Sequence, residues 1–369
     1  MTKEKIKAKE KKKQISLALQ GGGAHGAFTW GVLDRLLELD CFNFNAISAT
    51  SAGAMNAAVM MSGYLEGGNE GARANLEKFW RLIGDVNPLS RLPVMGWEKS
   101  NPYIWNMHLL PSYLMVDAFT RLYSPYEFNP LNYNPLRTIL EQCIKTEYLN
   151  SCTTVRMFIS ATRVSDGQPR IFECEEISID VLIASTSLPY LYQAVEIEGE
   201  HYWDGGYVGN PLLDPLMNEC RDGDVLIVQI NPVRREKHPT GAWDIVDRLN
   251  EITFNSSLLA ELWQINFVNN MVENMGYKGE HYRPVRMHII EPHAEMLLLD
   301  ATSKLNAHYH FFEYLRDLGR ESADKWIAAN YDNVGKESTL DIPKLFRLRE
   351  PGAKAKLKEE IKQKVTKKA

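Results

Sequence analysis

Near its start this chain runs twice from a short apolar strand through a cluster of small residues into an apolar helical pattern. The first instance is Ile15-Ser16-Leu17-Ala18-Leu19, then Gly21-Gly22-Gly23-Ala24-His25-Gly26, then a helical pattern over 27–39. The second is Ala46-Ile47-Ser48-Ala49-Thr50, with Ser51 at the strand's end and a helix-like run over 52–61. Short, nearly continuous apolar strands are those of sheets covered on both faces, and strands alternating with helices pair in parallel. Further strands are expected at 155–160, 224–230 and 285–290, with a strand-like segment at 193–198 and helical patterns near 180–187, 210–219 and 243–275. The pattern predicts an α/β protein: a three-layer α/β/α arrangement around a mostly parallel sheet.

With 369 residues, 44% of them apolar, the chain can bury one large core with an elaborated cap. We expect a basic tail at 1–13, a principal core at 14–218, the remainder of the same α/β domain at 219–330, and a C-terminal extension at 331–369 with a basic tail. Between 87 and 135 the periodicity dissolves into Pro, Asn and aromatics, among them Trp97, Tyr103, Trp105, Tyr113, Phe119, Tyr123 and Tyr126, which predicts a loop or small helical cap. Such aromatics either pack the cap or reach a lipid interface. The pattern of Leu258, Leu259, Leu262, Trp263 and Phe267 reads as helix core.

Charge is uneven. Residues 1–13 carry seven Lys against two Glu, and 350–369 carry seven Lys against three Glu, so a net −5 leaves about −14 on the body between ends of +5 and +4. No nucleic-acid partner is expected of so acidic a body. Basic ends are ordinarily solvated tails, and on this body they would also favour anionic lipid. No apolar run approaches the roughly 18 residues of a membrane span, so a cytoplasmic chain, peripheral to membrane at most, is expected. Five scattered cysteines (Cys41, Cys143, Cys152, Cys174, Cys220) without a C-x-x-C pair read as free thiols, and no metal or cofactor is expected.

The glycine loop admits several readings. Gly21-x-Gly23-x-x-Gly26 formally fits the dinucleotide fingerprint, but that motif needs an acid closing the second strand, and Asp40 precedes it. A P-loop fails because no Lys-Ser or Lys-Thr pair closes the run. Beside the weakened nucleotide-loop reading stand an oxyanion hole and a structural tight turn. In the former, the amides about Gly21, Gly22, Gly23, Ala24 and Gly26 would converge on developing negative charge at a helix N-terminus. His25 could donate to an anion from within the loop, but it reads first as an exposed or loop-capping histidine and not as a base.

Ala49-Thr50-Ser51-Ala52-Gly53 is a G-x-S-x-G nucleophile elbow with alanine for its first glycine. A serine needs a base, and the most distinctive acid is Asp204 in Trp203-Asp204-Gly205-Gly206-Tyr207, although an Asp-Gly-Gly sequence alone is ordinarily just a turn.

Together Gln20–Gly26, Ala49–Gly53 and Asp204-Gly205-Gly206, in that order, resemble the patatin-like phospholipases, in particular the bacterial members. The stretch Ala184-Ser185-Thr186-Ser187-Leu188-Pro189 adds to the likeness, which covers 14–217. The resemblance implies a three-layer fold related to cytosolic phospholipase A2 and a Ser–Asp dyad without histidine. Ser51 would attack an ester of a phospholipid or other acyl lipid, Asp204 would take its proton, and amides around Gly22, Gly23 and Ala24 would hold the oxyanion. His25 stands where Arg or Lys is common in the family, and Ala49 where Gly is common.

Two rival readings carry their own signatures. Ser51, Asp204 and His293 follow the chain order of an α/β-hydrolase triad, although the glycine loop lies only about thirty residues before Ser51. A non-catalytic lipid-binding or scaffold protein on the same fold would not need Ser51, Asp204 and the glycine loop intact.

Overall fold

The computed structural model describes residues 12–86, 102–219, 223–235, 238–274 and 284–346. Most of both basic tails, Trp97 and Cys220 lie outside them. In chain order the main elements are β1 (Lys13–Leu19), α1 (Gly26–Leu39), β2 (Phe42–Thr50), α2 (Ala52–Val86), α3 (Pro111–Leu122), α4 (Pro135–Cys143), β3 (Arg156–Arg163), β4 (Pro169–Glu173), α5 (Ile179–Thr186), β5 (Val195–Ile197), β6 (Glu200–Asp204), β7 (Asp224–Val228), α6 (Ala242–Asn274), β8 (Arg286–Ile290) and α7 (Tyr309–Asn330).

The strands form one sheet in the order β5-β6-β3-β2-β1-β7-β8, with β4 also paired to β3. The run from β3 to β8 is parallel, and β4, β5 and β6 enter antiparallel. Side-chain alternation divides the interior in two. Ile15, Leu17 and Leu19 of β1 and Leu226 and Val228 of β7 join a core with α1, α2 and α7. Ala18, Val225 and Ile227 point the other way, to Leu258, Leu262 and Ile265 of α6. This is a three-layer α/β/α protein with a mostly parallel sheet.

Helix α1 is apolar almost all round because it is covered twice, by the sheet and by α7. The α1–α7 crossing is so close that a Cβ at Gly31 would lie 1.9 Å from the Arg316 carbonyl oxygen, and one at Gly319 would lie 2.1 Å from that of Phe28.

Several elements depart from the sequence expectations. Helix α2 runs well past residue 61 by breaking at Gly67 and Gly68, where non-helical backbone turns the chain before the helix resumes. The strand at 193–198 is one arm of a hairpin, β5–β6, turning through Glu198 and Gly199 at positive φ. Within 102–135 the chain forms short helical turns and α3. Trp105 is buried and stacks on Phe311, whereas Tyr103, Phe119, Tyr123 and Tyr126 are exposed. In α6, Leu258 and Leu262 are core as expected, but Trp263 and Phe267 are exposed. Cys41, Cys143 and Cys174 are buried free thiols and Cys152 is partly buried. Among the described residues no helix is long and apolar enough to cross a membrane.

Candidate active site

β2 and β6 reach the site from opposite directions along one edge of β3. β4 occupies the other edge, from Phe158 to Thr162, so β2, paired up to Thr50 beside Ser160, and β6, paired from Asp204 beside Ala161, share the remaining one. The two strands meet end to end, which delivers the residue after Thr50 to Asp204. Thr162 Oγ donates to the Asp204 carbonyl at 2.7 Å, and the Asp204 amide donates to the Ser187 carbonyl at 2.9 Å, so the turn is held on both sides.

Ser51 takes φ +54, a left-handed conformation costly for a residue with a side chain, and its carbonyl accepts the first helical bond of α2 from Met55. This is the strained strand-to-helix turn expected of a nucleophile elbow. Gly53 is required by crowding: a Cβ there would stand 2.3 Å from the Leu19 carbonyl oxygen. Ala49, fully buried in β2, fills the position of the missing glycine.

Ser51 Oγ donates to Asp204 Oδ2 at 2.7 Å, while Asp204 Oδ1 accepts the Gly206 amide at 2.7 Å. Both side chains are almost wholly buried. Burial pushes the Asp204 carboxyl up to about 6, against the lowering effect of the Ser51 and Gly206 hydrogen bonds and of the nearby Lys304 charge. No histidine shares the pair among the described residues. His293 lies in another loop, where its Nδ1 accepts the Glu295 amide at 3.3 Å and its Nε2 is 3.7 Å from Glu321.

The glycine loop is anchored by a buried amide network. Gln20 Oε1 accepts the amides of Ile230 and Asn231, and its Nε2 donates to the Asn210 carbonyl and to Asn255. Gly21 donates its own amide to Asn210 Oδ1 at 2.6 Å, and the Gly26 amide turns back to the Gly23 carbonyl. Those two amides are thus engaged, which narrows the expected donor set. The amides of Gly22, Gly23 and Ala24 donate to no other described group. Gly23 takes φ +57 against the Lys304 carbonyl, a conformation and a closeness that favour glycine.

His25 is buried, which corrects the exposed one of its two expected states, exposed or loop-capping. Its Nε2 lies 2.7 Å from Ser303 Oγ and its ring meets Phe311 edge-on. Burial, and then the charges of Lys304 and Arg235, hold its pKa well below the usual histidine value.

Sequence reading gave no role to Ser185, whose hydroxyl accepts the Ser51 amide at 2.9 Å, nor to Asn210 and Asn231, which grip Gly21. The only signals were position: Asn210 shortly follows the Asp-Gly-Gly turn, and Asn231 follows the end of β7. No group of three or more His, Cys, Asp or Glu able to hold a metal occurs among the described residues.

A three-layer α/β/α sheet with a serine at a strained strand-to-helix turn, bonded directly to a buried aspartate, defines a recognisable class. A model of the patatin-like phospholipase family matches residues 17–217, more than half of the 369-residue chain, and the chain belongs to that family. It is 23% identical over 232 residues to the uncharacterized protein YjjU of Escherichia coli strain K12, covering 62% of this chain and 55% of YjjU, and so spans about half the length of that relative. Among solved structures, VipD from Legionella pneumophila is similar over 90% of this chain and 72% of VipD, with 14% identity and a TM-score of 0.38. ExoU from Pseudomonas aeruginosa, solved in complex with SpcU, is similar over 85% of this chain and 53% of its own, with 14% identity and a TM-score of 0.30.

Proposed function

We propose that this chain is a lipid acyl hydrolase of the phospholipase A or lysophospholipase type. It would cleave carboxylic esters of phospholipids or related acyl lipids through a Ser51–Asp204 dyad and an acyl-enzyme. The observation that carries this reading is the direct 2.7 Å bond from Ser51 Oγ to Asp204 Oδ2.

Ser51 Oγ attacks the ester carbonyl carbon as its proton passes to Asp204 Oδ2. The amides of Gly22, Gly23 and Ala24 receive the oxyanion. Collapse of the tetrahedral intermediate breaks the bond to the leaving alcohol, which takes the proton from Asp204. A water, deprotonated by Asp204, then attacks the acyl-Ser51 ester and releases the fatty acid, returning the proton to Ser51. The raised affinity of Asp204 for a proton suits a base that must hold one transiently.

Exposed apolar side chains on α3, among them Leu114, Met115, Phe119 and Leu122, support contact with a lipid surface. On this reading the enzyme works in the cytoplasm, at most peripheral to membrane. Mass spectrometry of products from a mixed lipid extract tests the function: the parent should release fatty acid and a deacylated lipid, and Ser51→Ala should release neither. Identical product profiles for the two proteins would refute it.

A further inference from the structure

Acyl transfer to Ser51 builds negative charge next to a carboxylate that is itself negative before it accepts a proton, so the site needs a positive charge close by. His25, the basic residue inside the glycine loop, is held neutral by burial and turned towards Ser303. Lys304 belongs to a short helical turn, Ala301–Leu305, far from the loop in sequence, yet it reaches the loop by two routes, one direct and one through Asn231. Its carbonyl oxygen fills the space where a Cβ at Gly23 would be, 2.5 Å away. Its ammonium donates to Asn231 Oδ1 at 2.7 Å, and Asn231 Nδ2 in turn donates to the Gly21 carbonyl at 3.1 Å.

The same ammonium lies 5.5 Å from the centre of the Phe254 ring, which a Cβ at Gly206 would meet at 2.5 Å. Lys304 therefore bridges the glycine loop and the turn that presents Asp204. The acids around it do not consume its charge. Glu251 is paired with both Arg235 and Arg248, Asp247 accepts the Ala301 amide, and no described carboxylate comes within ion-pair distance of the Lys304 ammonium.

We propose that Lys304 is a positioning residue of the acyl-transfer site: through Asn231 it fixes the glycine loop, and its positive charge favours the ionised Asp204 and the developing oxyanion. This rests on the Ser51–Asp204 reading and adds the source of charge that the loop itself lacks.

The groups that set the ammonium's proton affinity are Glu251 and Asp247 on α6, Arg235 after β7, and Asp204. Burial dominates and lowers its pKa to about 8, with Arg235 acting in the same sense and the three acids opposing. The ammonium is thus lost as pH rises through about 8, and activity should fall with it.

The test is kcat and KM against pH on a short-chain p-nitrophenyl ester, read at the p-nitrophenol isosbestic wavelength, for the parent, Lys304→Met and Lys304→Arg. Fluorophosphonate labelling of Ser51 is followed in parallel. The parent should lose activity above about pH 8. Lys304→Arg, charged throughout, should keep activity and lose that alkaline limb. Lys304→Met should show kcat lower by about 10- to 100-fold at neutral pH, KM changed less than about threefold, and an acid limb moved to higher pH. An unchanged alkaline limb in Lys304→Arg would overturn the proposal even if Lys304→Met fails to fold, as would a folded Lys304→Met with the parent's kcat and pH profile. If the parent itself is not labelled at Ser51, the dyad reading fails and this inference falls with it. Labelling of Ser51 with Lys304 variants indistinguishable from the parent rejects the role of Lys304 alone.

Discussion

Asp204 divides its two carboxylate oxygens between Ser51 and Gly206, Oδ2 accepting the hydroxyl and Oδ1 the backbone amide. The Gly206 bond fixes which oxygen faces the serine, so the carboxylate is aimed before any substrate arrives. Loss of its charge should therefore silence the site without moving it.

The first consequence is a pH dependence. As the proposed base, Asp204 would accept the Ser51 proton only as a carboxylate, and burial has pushed its pKa up to about 6. Between that value and the alkaline limb near pH 8 activity should be full, and it should decline as pH falls through about 6, with a slope of about one proton. A log kcat/KM profile still flat at pH 5, with the protein shown to be folded, would contradict the assignment of Asp204 as base.

How much of this was legible depends on sequence distance. The glycine loop, Ser51 and Asp204 each sit in a short local signature, and the buried strands at 15–19, 155–160, 224–230 and 285–290 announce themselves as apolar runs. β6 does not, because Glu200-His201-Tyr202-Trp203-Asp204 is short and mostly polar, and β4 opens on Pro169. α7 escaped although its signal was present: Phe311, Leu315, Leu318, Ala323 and Ile327 recur at helical spacing, and all are buried. The network of Gln20, Asn210, Asn231 and Lys304 has no sequence signature, since its members become neighbours only after the sheet places β7 beside β1.

The α1–α7 crossing predicts a stability effect distant from the chemistry. Gly319→Ala introduces a methyl into space already held by the Phe28 carbonyl, so either the helices separate or the backbone strains. A loss of about 1–3 kcal/mol is expected in urea denaturation. Parent-like stability would show that the crossing relaxes freely.

Asp224 on β7 predicts acid sensitivity. Burial alone would raise its carboxyl, but hydrogen bonds from His288 and Arg286, and from the Gly335 amide, overcome this and hold it down at about 2. A folded-state pKa below the unfolded value of about 3.9 stabilises the protein above that pH, and the contribution is lost as pH falls from about 4 towards 2. Asp224→Asn should cost roughly 1–3 kcal/mol at pH 7, discounted for the partial exposure of Arg286, and should flatten the acid limb of stability. Denaturation curves at pH 7 and pH 3 check both.

Chelation should leave activity unchanged, because the proposed chemistry uses a carboxylate and backbone amides. Loss of ester hydrolysis in EDTA, restored by calcium or another divalent ion, would require a different mechanism.

The dyad itself is tested most directly by kcat/KM of Asp204→Asn on one ester substrate, beside Ser51→Ala, His293→Ala and His25→Ala, each shown to be folded. An amide cannot accept the serine proton, so Asp204→Asn should fall nearly as far as Ser51→Ala. His293→Ala should remain near the parent, and His25→Ala should lose activity at most moderately, through the glycine loop. A folded His293→Ala enzyme as inactive as Ser51→Ala, or an Asp204→Asn enzyme within about tenfold of the parent, would contradict the Ser51–Asp204 account.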